Sequence, residues 1–332
     1  MTERHIILED IDPSMFYGTG NAHLQMLRAL YPKLRIMARG DVIRVLGDDA
    51  EMSAFAAVVE RLRLHVLHYN TLDEETLLTV VRGGNVAADT SGAVVYNIAG
   101  KPIRGRSDNQ RRLIDAFTRS DMLFVEGPAG TGKTYLSIAL AVRALKDKTA
   151  RRIILSRPAV EAGEKLGFLP GDMKEKIDPY LQPLYDALED MLPAVKLQDM
   201  TDKHVIQIAP LAFMRGRTLS DAVVILDEAQ NTTPAQIRMF LTRMGNGTRM
   251  IITGDLSQVD LPRGVPSGMR DAMDVLGDVE GIAFVRMTDE DIVRHRLVTR
   301  IVRAYERRAR QTEPQDPPKR KQETENKNIP EI

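Results

Sequence analysis

The sequence has no cysteine and no tryptophan among its 332 residues, and aromatic side chains make up only 5% of it. Without a thiol, neither a disulfide nor a Cys-ligated zinc or iron–sulfur centre can form. That absence agrees with a reducing compartment, and a cytoplasmic location is the expectation. Long apolar runs are missing too. No stretch of about 18 apolar residues exists, so a spanning helix is not expected. The opening Met1-Thr2-Glu3-Arg4-His5 lacks the apolar segment of a secretory leader. An excess of either charge is also absent, with 46 Lys and Arg against 46 Asp and Glu.

What is present is enough apolar material, 43% of the residues, to bury real cores, and a length that suggests two domains. The zero net charge hides an uneven distribution. Residues 1–100 hold 9 basic against 13 acidic side chains, and residues 312–332 hold 4 against 5. Residues 101–311 therefore carry a net +5, and a polyanion is more readily met there than by the front of the chain.

One stretch organises the rest. The apolar run Met122 to Val125 reads as a buried strand, and Tyr135 to Lys146 reads as a helix. Between them lies Gly127-Pro128-Ala129-Gly130-Thr131-Gly132-Lys133-Thr134, a complete phosphate-loop pattern. Its glycines let backbone N–H groups turn inward around phosphate oxygens, at the positive end of the next helix. Lys133 is expected to reach the β- and γ-phosphates, Thr134 to ligate Mg²⁺, and Tyr135 to complete the nucleotide contacts. ATP and Mg²⁺ are thus the expected cofactors.

Before this loop, residues 1–84 read as a small α/β domain. A strand is expected at Ile6 to Leu8, a helix over 21–30, and a hairpin formed by 33–38 and 42–46 around Arg39-Gly40-Asp41. An amphipathic helix over 49–66 follows, then another over 73–82. The helix–strand–strand–helix order resembles a KH-type RNA-binding module, although no Gly-x-x-Gly loop is found between helices and the region is acidic. Docking or assembly is the other reading of this domain. Residues 85–107 read as a linker with a strand at 93–98 that can close as a hairpin, carrying the basic cluster Lys101, Arg104 and Arg106. Ser107 and Asp108 open a helix over 109–118. On it, Gln110 is expected to read adenine, because a side-chain amide can pair with both N6 and N7.

From Arg151 onward strands and helices alternate. Strands are expected at 153–155, 205–208, 223–226, 250–253 and 282–285, and helices over 173–192, 234–243 and 269–276. This is the pattern of a doubly wound parallel sheet, the RecA/helicase-like phosphate-loop NTPase fold, whose ligands sit beyond the carboxyl ends of the strands. The phosphate loop, Arg157, Asp227-Glu228 and Asp255 all fall on that one edge. Asp227 is expected to hold Mg²⁺, and Glu228 to orient and deprotonate the attacking water. In Gly254-Asp255-Leu256-Ser257-Gln258, the Gln258 amide can sense the γ-phosphate or that water. Arg157 and Asp255 are further candidates for nucleotide contact. An acid at Glu228 argues for hydrolysis and against a small-molecule kinase.

The runs Arg157 to Asp172, Asp178-Pro179-Tyr180, Pro210 to Thr218, Asp227 to Thr232 and Asp291 to His295 together resemble the signature of the PhoH-like ATPases, in order over about 108–305. The resemblance implies an ATPase core similar to superfamily 1 RNA helicases and a role in RNA metabolism, with single-stranded RNA as partner. Some relatives carry a fused PIN-type ribonuclease domain, which residues 312–332 do not supply. Others are associated with a separate metal-dependent endoribonuclease, and that partner too is implied by the resemblance. Superfamily 1 enzymes pair two such doubly wound sheets, whereas this chain has room for one. An arginine for the transition state is therefore expected from elsewhere in residues 108–311 or from a neighbouring subunit of a homo-oligomer, such as a ring. Arg215, Arg217, Arg294 and Arg296 are the candidates. Asp289-Glu290-Asp291 is expected to open a last helix whose arginines, seven over 294–310, make a basic face. Residues 312–332, rich in Pro, Lys, Glu and Asn, are expected to be a disordered tail. A nucleotide-gated switch that binds a protein partner is the second functional reading.

Overall fold

The computed structural model describes residues 2–84, 92–158, 173–293 and 301, with backbone alone for 173–179. The signature residues 159–172, the arginines 294–310 of the expected last helix, and residues 312–332 lie outside them. Residues through Ile292 form one compact unit.

The N-terminal module runs β1 (Thr2–Ile7), α1 (Pro13–Tyr17), α2 (Ala22–Leu30), β2 (Arg35–Arg39), β3 (Val42–Gly47), α3 (Asp49–Tyr69) and α4 (Glu74–Val81). Its sheet is antiparallel in the order β1-β3-β2. One face is covered. Ile36, Ile43 and Val45 pack with Phe55, Val59 and Leu62 of α3, while β1 stays largely exposed. Alternation of this kind is what a sheet with a single core predicts. The short helix α1, which the apolar pattern does not announce, begins at a Pro and is capped by Asp12, whose carboxylate accepts from Ser14 N at 2.8 Å. Gly18, Gly20 and Asn21, all at positive φ, then turn the chain into α2.

The stretch expected as a linker is packed rather than free. β4 (Val95–Tyr96) and β5 (Pro102–Ile103) form an antiparallel hairpin. Val94, Val95 and Ile103 are buried in the core of the following module.

That module contains α5 (Asp108–Arg119), β6 (Met122–Glu126), α6 (Lys133–Lys146), β7 (Arg152–Arg157), α7 (Met173–Met191) and α8 (Ala194–Asp202). It continues with β8 (Ile206–Pro210), β9 (Ala222–Leu226), α9 (Pro234–Leu241), β10 (Arg249–Gly254), α10 (Gly268–Val275) and β11 (Ile282–Arg286). Six parallel strands line up as β11-β6-β10-β9-β7-β8. Their residues alternate between two cores. Leu123, Val125, Ile153, Leu155, Val223 and Ile225 face the side of α5 to α8. Phe124, Ile154, Val224, Leu226, Met250 and Ile252 face α9 and α10. A strand buried on both faces must be apolar at every position, and β9 is buried throughout. Asp289 to Asp291 form a 3₁₀ turn, with Asp291 accepting from Thr288 N and from Asn109 of α5, and the helix expected after them lies outside the described residues.

Asn70 joins the two modules. It ends α3 in the left-handed conformation, and its amide donates to Tyr96 O at 2.6 Å and to Met191 O at 3.2 Å. It also accepts from Lys146 Nζ at 3.1 Å.

Candidate nucleotide site

The sheet order puts β6, β10 and β9 side by side, so the loops after these three strands converge at one edge. Their residues line a cleft of about 250 Å³ that takes in Lys133, Thr134, Tyr135, Asp227, Glu228, Asp255 and Gln258.

Gly127 has φ +151°, and a Cβ there would meet Met287 Cβ and Met287 O at 2.6 Å, so only glycine lets the loop leave β6 against this neighbour. Gly132, at φ +81°, ends the loop and delivers the chain into α6. Thr131 is buried, its hydroxyl donating to Pro128 O at 2.9 Å. The Lys133 ammonium is folded onto the loop, donating to Gly127 O at 2.6 Å and Pro128 O at 2.8 Å. Burial pushes its pKa down, against the opposing charges of Asp255, Glu228, Asp227 and Glu126.

Asp227 is buried at the end of β9. Its Oδ1 accepts from the Thr134 and Thr253 hydroxyls, each at 2.7 Å. Desolvation, then repulsion from Glu228, holds its pKa above the ordinary carboxylate value. The two hydroxyls and Arg157, whose Nε stands 3.8 Å away, only partly offset this. A carboxylate kept dry and under-compensated, with a hydroxyl at its side, is a donor set that suits a hard cation, which takes oxygen ligands and keeps part of its water shell. The residues therefore fit Mg²⁺.

Glu228 sits in the left-handed region (φ 54°, ψ 38°), a conformation that costs a non-glycine residue about 1–2 kcal/mol. Its Oε1 accepts from Arg157 Nη2 at 2.8 Å, and its Oε2 from Gln230 Nε2 at 2.6 Å. Two donors thus hold the strained acid in place. Gln230, fully buried, also donates to Gln258 O at 3.2 Å and accepts from Asp255 N at 3.1 Å. Asp255 in turn holds the Gln258 side chain, accepting from its Nε2 at 2.7 Å. The acid after β9 and the glutamine after β10 are therefore parts of one network.

Three sequence expectations change here. Gln110 does not present its amide to a base. It is buried, with Oε1 accepting from Arg106 N at 2.7 Å and Nε2 donating to Thr131 O at 2.9 Å, so both ends support the phosphate loop. Arg157 is turned to the acids and to Tyr180 O at 2.8 Å, outside the cleft lining. Tyr135 lines the cleft but spends its hydroxyl on Asp190 of α7.

Of the arginine candidates, Arg215 and Arg217 follow β8, two strand spacings (about 10 Å) from β9 and four from β6. Arg217 is moreover tied to Gln207 Oε1 at 2.6 Å. Neither lines the cleft of its own chain. Arg294 and Arg296 lie outside the described residues. Sequence reasoning assigned no role to Gln230 and Thr253. Their signal was present, as polar side chains next to acids at the ends of otherwise apolar strands.

A parallel sheet with a phosphate loop, a paired-acid strand end and a Gly-Asp-x-x-Gln strand end on one edge defines a P-loop nucleotide-binding ATPase fold. A family model described as PhoH-like protein matches residues 102–306. The chain is 48% identical over 280 residues to the PhoH-like protein of Bacillus subtilis, covering 82% of this chain and 88% of that one. It is 45% identical to the PhoH-like protein of Mycobacterium tuberculosis (90% and 87% covered) and 40% identical to Protein PhoH of Escherichia coli (83% and 76%). The chain belongs to the PhoH-like family. Among solved structures, the Pif1 helicase from Candida albicans is similar at 15% identity and a TM-score of 0.32, over 59% of this chain and 42% of that one. No helix among the described residues is long and apolar enough to cross a membrane.

Proposed function

We propose that this chain hydrolyses ATP with Mg²⁺ and couples the hydrolysis to single-stranded RNA. The observation that carries the reading is the convergence of Lys133, Thr134, Asp227 and Glu228 on one cleft. In this reading the N-terminal turn of α6 and the loop N–H groups bind the phosphates, and Lys133 exchanges its two carbonyl partners for phosphate oxygens. Thr134 and Asp227 hold Mg²⁺, which supplies charge neutralisation at the β- and γ-phosphates. Glu228, aimed by Arg157 and Gln230, takes a proton from water as its oxygen bonds the γ-phosphorus and the bond to the β-phosphate oxygen breaks. Gln258, linked to Glu228 through Gln230, reports on the γ-position.

Support for RNA comes from three places. The nucleotide module carries the positive share of the charge, and the N-terminal module has KH-like strand and helix order. Exposed Phe213 and Arg215 lie just beyond β8, a pairing of base-stacking ring and phosphate-binding charge. Because Arg215 and Arg217 do not line their own cleft, a second copy of the chain is the source of an arginine for the γ-phosphate in this reading. The test is phosphate release from Mg-ATP with and without single-stranded RNA. Stimulation of severalfold, lost in Phe213→Ala together with Arg215→Ala, is expected. Turnover indifferent to every RNA would favour a nucleotide-gated assembly switch, and phosphate passed to an added acceptor would establish a kinase instead.

A further inference from the structure

A second cavity, of about 260 Å³, lies between the N-terminal module and the end of α6 remote from the phosphate loop. By helix rise the two ends of α6 are about 20 Å apart. Much of the wall is apolar, from Ile11 and Met15 of the N-terminal module, Val142 and Leu145 of α6, and Leu192 and Met200 beyond α7. Charged groups also face it, and most of them are matched. Lys196 Nζ pairs with Asp10 Oδ1 at 3.0 Å, and Lys203 pairs with Asp199 at 2.7 Å. Asp12 is engaged as the cap of α1.

Lys146 is the exception inside the cavity. Its ammonium donates to the Asn70 side chain, and no carboxylate among the described residues lies within 4 Å of it. An ammonium has three N–H donors, so two remain for another acceptor. Desolvation, reinforced by the neighbouring charge of Lys196 and only partly opposed by Asp147, pulls its pKa down to about 8. Lys148, which has no carboxylate within 4 Å among the described residues, is exposed at the rim. A cavity with apolar walls and one under-compensated cation is the arrangement that binds an apolar body with a single fixed polar group. A dianion would carry more charge into this site than the one interior ammonium can match.

We propose that this cavity is a binding site for a small organic monocarboxylate, whose carboxylate meets Lys146 and whose hydrocarbon body fills the space between the two modules. The site is separate from the nucleotide cleft, and the inference does not depend on the proposed activity.

Octanoate, its neutral analogue octanamide, and inorganic phosphate are the probes, titrated calorimetrically into the full chain. Octanoate is expected to bind with one-to-one stoichiometry, and octanamide at least about tenfold more weakly, the loss of one charged hydrogen-bonded contact. Phosphate is expected not to bind at this site in Lys133→Ala, which disables the other anion site. Lys146→Met is expected to weaken octanoate about tenfold or more while leaving basal ATP turnover unchanged. Absence of octanoate binding, equal affinity for acid and amide, or undiminished binding in Lys146→Met would each overturn the proposal. Should Lys146→Met not fold, the side-chain ¹⁵N resonance of Lys146 in the unaltered chain decides. Octanoate must shift it, and no shift rejects the site.

Discussion

The two sheets of this chain solve the same burial problem in opposite ways. In the nucleotide module all six strands run in one direction, so every loop after a strand emerges at the same edge. Residues distant in sequence, Lys133, Asp227 and Asp255, are thereby delivered to one cleft. In the N-terminal module neighbouring strands reverse, so strand ends alternate between edges and no common chemical edge exists. What that module offers a ligand is its faces, its turns and its seam with the neighbour.

The sharpest test of that contrast is Lys133→Ala. Removing the ammonium from the parallel-sheet edge should lower ATP turnover on the order of 10²–10³-fold, measured as phosphate release at saturating Mg-ATP. A comparable loss from a change on the antiparallel sheet would break the comparison.

Asp227→Asn separates the chemistry of the edge from its stability. The folded-state pKa of Asp227 is raised, so the folded chain binds a proton more readily than the unfolded chain does, and ionising it costs stability. Asn keeps an oxygen for Thr134 and Thr253 without the charge. The variant should lose Mg²⁺-dependent turnover yet unfold at a higher temperature than the unaltered chain at neutral pH. The gain should be complete above the raised folded value, fade as pH falls through it, and be gone below the ordinary value of 3.8, where Asp227 is protonated in both states. Thermal melts across pH check both parts.

Asn70→Ala addresses the seam. It removes one donor from each of the carbonyls of Tyr96 and Met191 and takes away the acceptor of Lys146. It should cost about 1–3 kcal/mol in denaturant unfolding. Turnover should stay within about twofold, because the seam lies at the opposite end of α6 from the loop.

How much of this could be read without coordinates follows the same division. The phosphate loop and the acids after β9 were legible because a strand buried on both faces must be apolar, so the first polar residue after it marks the functional edge. The helix α1 was not, since five residues carry too little periodicity and its start depends on the Asp12 cap. The hairpin at 95–103 was legible as a hairpin within a linker, but its packing was not, because its few apolar side chains are recruited by a core built elsewhere. Gln110 read as a base reader from its distance to the loop, but its environment is set by a contact with Thr131 that spans 21 residues.

By itself, the sequence determined the class of sheet, the phosphate loop and the identity of the acids, because local patterning dictates them. The tertiary structure alone decided which partners those side chains keep: Gln230 joining Glu228 to Asp255, Arg157 turned onto the acids, and Lys146 left without an acid at the seam. Hydrogen bonds and desolvation depend on distances of a few ångströms between segments far apart in the chain, and only folding sets those distances.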